Sequence, residues 1–177
     1  HAKRVPGEGI FQTNNRYGIS SAGFGYRWHE VDPRFNADST PLEPNLFGWV
    51  VEIDPFNPGS TPVKRTALGR LKHEGAWVQE TKDGRVVVYM GDDERNEYIY
   101  RYVSNRPWKL ALRARINPLD DGILYVAKFH ADGTGEWLEL TPNNPTLATW
   151  TINDILINTR AAADAVGATM MDRAEWI

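Results

Sequence analysis

The chain has 177 residues, 41% of them hydrophobic, and a formal net charge of −3. That length and apolar content suit one domain with a real core and exclude a disordered chain. The charge gives no electrostatic case for nucleic acid. The lack of cysteine excludes disulfides, thiolate zinc sites and cysteine nucleophiles, and no apolar run approaches the roughly 20 residues of a membrane span.

Residues 1–46 read as a loop-rich lead-in segment. Gly23-Phe24-Gly25-Tyr26 and Asp32-Pro33-Arg34-Phe35 are turn-like, and Thr40-Pro41-Leu42-Glu43-Pro44-Asn45 is a connector with two prolines. Aromatics recur at Tyr17, Phe24, Tyr26, Trp28 and Phe35, as in a loop that packs over a core or lines a site. Short strands follow. Residues 49–53 end at Asp54-Pro55. Residues 76–80 and 85–90 flank Lys82-Asp83-Gly84, a hairpin signal. Residues 86–90 are apolar at every position, as in a buried central strand. Residues 98–103 form a further strand. Residues 123–129 and 136–140 flank Asp132-Gly133 as a second hairpin.

Residues 151–165 break this pattern. Thr151 can cap a helix with Asp154 three positions on. Ile152, Ile155 and Leu156 share one helical face, 161–165 is alanine-rich, and Gly167 suits the C-terminal cap. Residues 170–177 return to extended structure. Short strands joined by Asp-Gly turns, without alternating helices, argue for an all-β fold. Sandwich and propeller share this local signature. The repeated strand, Asp-Gly, strand unit at 76–90 and 123–140 favours propeller blades. The expected architecture is a partial β-propeller of several antiparallel blades, one domain over 1–177, with a helical insertion near 151–165.

Four histidines, at positions 1, 29, 73 and 130, show no close metal-ligand spacing. There is no glycine-rich phosphate loop and no G-x-S-x-G, so serine–histidine catalysis has no support. The acidic residues say more. Glu74 enters an apolar strand, and Asp92-Asp93-Glu94 follows the buried one. Three adjacent carboxylates repel one another unless water or a cation balances them, and hard cations such as calcium want several oxygen ligands at one point. A solvated turn explains the same residues. In an extended segment Arg173 and Glu175 share a face. A guanidinium beside a carboxylate can grip phosphate while the carboxylate holds a metal. A surface pair beside a packing tryptophan, Trp176, is the other reading.

At these residues the sequence resembles the PhoX alkaline phosphatase family. The matching blocks include Phe47-Gly48-Trp49-Val50-Val51-Glu52-Ile53-Asp54-Pro55, Lys72-His73-Glu74-Gly75-Ala76, Tyr89-Met90-Gly91-Asp92-Asp93-Glu94 and Met171-Asp172-Arg173-Ala174-Glu175-Trp176. The resemblance implies a β-propeller with calcium and iron (Ca2+ and Fe3+) at the mouth of its channel. It implies hydrolysis of small phosphomonoesters and export to the periplasm or beyond. Carried over, Glu74 is an iron ligand, Glu175 is a second carboxylate of the metal centre, Asp93 and Asp92 are calcium ligands, and Arg173 is the catalytic arginine that binds substrate phosphate. A family member is longer and carries a cysteine iron ligand upstream of the region matching residue 1. The iron site is therefore expected to be incomplete, and this piece alone to hydrolyse phosphomonoesters weakly or not at all. Ala174 stands where the family usually has proline. Three alternatives remain: a non-catalytic propeller module stabilised by calcium, an inactive fragment of the enzyme, and a phytase-like or phosphodiester-cleaving propeller.

Overall fold

The computed structural model describes residues 14–19 and 25–175. Part of the expected turn at 23–26 falls outside these residues, as do His1 and Trp176. The described part of the lead-in contains no strand. It is a series of short 3-10 helices, Asn14–Tyr17, Trp28–Glu30, Pro33–Phe35 and Glu43–Leu46. Asp32 caps the third by accepting the Arg34 N–H, and Thr40 ties back to the Asn36 carbonyl at 2.8 Å. Tyr26, Trp28 and Phe35 are exposed, Tyr26 by 73%, so these aromatics do not cover a core.

After β1 (Val51–Glu52) and β2 (Val63–Lys64), which pair with each other, the chain builds a five-stranded sheet. Its strands are β3 (Trp77–Glu80), β4 (Arg85–Gly91), β6 (Ile99–Pro107), β7 (Gly122–Phe129) and β8 (Gly135–Glu139), in that order, each antiparallel to its neighbour. Between β4 and β6 lies β5 (Arg95–Glu97), which leaves this sheet to pair with β9 (Met171–Asp172). Both expected hairpins are present. Gly84 closes the first with φ +80°, a value that glycine adopts without steric cost. Its N–H donates to the Thr81 carbonyl at 2.9 Å.

Side chains alternate across a strand, and the register turns that alternation into a core. Val88, Tyr102 and Leu124 align in one row, and Met90, Tyr100 and Val126 in the next. All six are buried, under Leu68, Leu71, Leu147, Ile155, Ala162 and Ala163. Each large apolar side chain removed from water contributes about 2 kcal/mol. The opposite face carries the row Trp77, Tyr89, Arg101, Tyr125 and Glu139. There the Arg101 guanidinium lies 4.5 Å from the Trp137 ring and 5.0 Å from the Tyr125 ring.

The helix expected over 151–165 is two helices, α2 (Ile152–Ile157) and α3 (Thr159–Val166). The Thr151–Asp154 capping box forms, and Gly167 ends α3 in the left-handed region. The break falls at Asn158 because the carbonyls before it are taken from outside the helix. Leu156 O accepts from the Arg70 N–H at 3.0 Å, and Ile157 O accepts from Arg70 Nε at 2.8 Å and the Tyr17 hydroxyl at 3.2 Å. A third helix, α1 (Trp108–Arg113), begins after Pro107 and was not expected from the sequence. None of the described helices is long and apolar enough to cross a membrane.

Candidate active site

The candidate residues gather where β4 ends. Gly91 is the pivot: a Cβ there would stand 2.2 Å from the Ala174 carbonyl oxygen, so only glycine admits the crossing of 172–175 over this strand end. The Glu74 N–H donates to Gly91 O at 3.3 Å, and the backbone of His73 bridges that of Asp92. The Asp93 N–H donates to Lys72 O at 3.0 Å, and the Arg173 N–H to Glu94 O at 3.3 Å. Arg173 has φ +55°, a left-handed conformation that costs a non-glycine residue about 1 kcal/mol or more. The pairing of β9 with β5 on one side and the close approach to Gly91 on the other fix the chain in that conformation.

The three consecutive carboxylates are balanced one by one. Asp92 is fully buried, and both its oxygens accept from Arg160, Oδ1 from Nη2 at 2.6 Å and Oδ2 from Nε at 2.7 Å. Asp93 Oδ1 accepts from Arg173 Nε at 3.0 Å. Glu94 pairs with Lys72, whose hydrogen bond holds the Glu94 carboxyl below its ordinary range. The neighbouring resemblance-derived residues lie differently: Glu74 and Glu175 are exposed, and no bond among the described residues holds either carboxylate.

The residues carried over from the resemblance therefore fall into two groups. The backbones of Glu74, Asp93, Arg173 and Glu175 all meet around Gly91. Asp92 is adjacent in sequence but serves a buried ion pair, with both oxygens engaged. The donors present are hard oxygens, the type calcium takes. Among the described residues, however, no group of three or more histidine or acidic side chains is placed to hold a metal ion. The set does not form a metal cage by itself.

Sequence reasoning missed Arg160, which sits amid an alanine-rich helix and shows no spacing relation to Asp92. It also missed His73. The His73 Nε2 donates to the Gly69 carbonyl at 3.0 Å, while buried Nδ1 has no partner among the described residues. Burial pushes the His73 pKa down, against the Gly69 bond and the nearby Asp92 charge.

A largely antiparallel β chain with an arginine–carboxylate corner at a strand end is the class of protein defined so far. The sequence model of the family "Alkaline phosphatase PhoX" matches residues 3–177. A solved structure of Pseudomonas fluorescens PhoX in complex with vanadate, a transition state analogue, is 49% identical in sequence with a TM-score of 0.85. The match covers 97% of this chain and 32% of that one, so the chain spans about a third of the solved protein's length. No curated protein matches it. The chain belongs to the PhoX alkaline phosphatase family.

Proposed function

We propose that this chain forms part of the active site of an alkaline phosphatase that releases phosphate from small phosphomonoesters, with Arg173 gripping the transferring group. The observation that carries the reading is the state of Arg173. Its backbone is held at φ +55°, its Nε is pinned to Asp93 at 3.0 Å, and its side chain is half exposed. No bond among the described residues engages its terminal nitrogens. A guanidinium fixed at Nε presents those nitrogens as a fork, which matches two oxygens of a phosphate. Phosphoryl transfer depends on positioning and on stabilising charge at the equatorial oxygens, and a pre-aimed arginine supplies both.

The metals of this reading are calcium and iron, by family resemblance, with Glu74, Asp93 and Glu175 as carboxylate ligands and the remaining ligands outside the described set. Cations there would neutralise phosphate oxygens. The buried ion pair of Asp92 supports a structural role for that residue in place of the calcium-ligand role. The five-stranded antiparallel sheet is consistent with one blade of a β-propeller, with 1–177 a single domain, part of a larger propeller, and 1–46 its lead-in. A periplasmic or secreted location goes with the same family.

The test is turnover of a chromogenic phosphomonoester at alkaline pH by the full-length natural protein and its Arg173→Lys and Arg173→Ala variants. Loss of about 100-fold or more in kcat for Arg173→Ala is expected, the scale of removing one preorganised donor. Unchanged turnover would remove Arg173 from the site. The one-to-one pairing of acids with internal cations favours a second reading, a non-catalytic module. Metal analysis separates the two: iron with calcium supports the enzyme, and calcium alone supports the module.

A further inference from the structure

The Asp92–Arg160 pair belongs to a larger set that runs from the buried interior out to the exposed Asp164. Arg160 is 1% exposed, its Nη1 donates to the Arg16 carbonyl at 3.1 Å, and its Nε lies 3.5 Å from Glu97 Oε2. Arg16 pairs with Glu97, and through Nε and Nη2 it reaches both oxygens of Asp164 at 2.8 Å. Asp164 also accepts from the Tyr98 hydroxyl at 2.6 Å. Three acids and two arginines, drawn from the lead-in, the exit of β4, β5 and α3, thus satisfy one another. The proposed chemistry uses none of them. A buried pair of this kind is weak as a source of stability, because desolvation offsets most of the attraction. What a two-point guanidinium–carboxylate bond does supply is a fixed direction.

That direction matters one residue later. Asp92 is held inward by Arg160, and the chain then turns tightly, the Glu94 N–H donating to the Asp92 carbonyl at 2.8 Å, so that Asp93 meets the half-exposed Arg173. We infer that Arg160 is a positioning residue for the site: by clamping Asp92 inside the fold, it sets where Asp93 holds Arg173. The inference rests on the reading of Arg173 as the phosphate-binding group, and its first readout needs no activity.

That readout is the nitrogen-15 NMR signal of Arg173 Nε–H, identified by its loss in Arg173→Lys. In Arg160→Met the signal is expected to move toward the position of a free arginine and to exchange faster. Asp92→Asn, which keeps the shape of the side chain, should shift it in the same direction by less. Ile155→Val, a core variant away from the clamp that also lowers the melting temperature, should leave it in place. With a phosphomonoester and well below each melting temperature, kcat should fall about 10- to 100-fold in Arg160→Met, the usual scale for a residue that orients a site group, with KM largely unchanged. Ile155→Val should keep the parent kcat. If Arg160→Met does not fold, Asp92→Asn carries the test. An unmoved signal in folded Asp92→Asn, or an equal shift in Ile155→Val, overturns the inference. A displaced signal in a protein whose parent shows no phosphatase activity overturns the proposed function and leaves the positioning role standing.

Discussion

The two ends of β4 are held in opposite ways. At its start the chain reverses over Thr81–Gly84 mainly through local bonds: the Thr81 hydroxyl accepts the Arg85 N–H at 2.9 Å and also pairs with Asp83, and a tie from farther off runs from the Trp108 N–H to the Gly84 carbonyl at 2.8 Å. At its finish, Gly91–Glu94, the partners come from far along the chain: Arg160, Arg173 and the Ala174 carbonyl. A local turn tolerates substitution because its neighbours can adjust. The far end cannot relax without moving α3 and the 171–175 crossing together.

Four measurements sharpen this comparison, the first three by urea denaturation. Arg160→Met should cost most, about 4 kcal/mol, because it leaves the Asp92 charge buried without a partner. Gly91→Ala should cost about 3 kcal/mol, since its methyl would overlap the Ala174 carbonyl and push the crossing away. Gly84→Ala, at the local end, should cost only about 1 kcal/mol, the strain of an alanine at φ +80°. Equal losses at both ends would erase the distinction.

The smallest effect is in the acid range. Burial alone would raise the Asp164 pKa, but hydrogen bonds from Arg16 and Tyr98 outweigh it and hold the group below its ordinary 3.8. Its contribution to stability is therefore present above that ordinary value and is lost as pH falls through the folded one. Asp164→Asn should flatten the acid side of the stability profile below about pH 4. Glu97 has the opposite sign: burial dominates and raises its pKa, so Glu97 does not add to that acid loss.

What could be read from the sequence follows the same division. Both hairpins, the Thr151 capping box and the apolar run of β4 were legible because their signals lie within a few residues of one another. The break at Asn158 was not, since it depends on Arg70 and Tyr17 drawing carbonyls out of the helix. Nor was the pairing of β5 with β9, two short polar segments with no hydrophobic pattern. Within the site, resemblance pointed to Glu74, Asp93, Arg173 and Glu175, and their backbones do meet. The sequence could not separate Asp92 from Asp93. The two adjacent aspartates differ only in what they meet after folding: Arg160 takes Asp92 inside the fold and Arg173 takes Asp93 nearer the surface.

The Arg160–Asp92 bond also sets a timetable for the chain as it is made. The hairpins of the five-stranded sheet join neighbouring segments and can form early, since contacts between close residues close quickly. Asp92 must wait for a partner 68 positions downstream, and Arg16 for one 148 positions away. At a synthesis rate of about 5–20 residues per second, several seconds pass between the emergence of Asp92 and that of Arg160. During that interval the end of β4 carries three carboxylates without the arginines that later balance two of them. A helix synthesised 68 positions later therefore locks a strand that was already made.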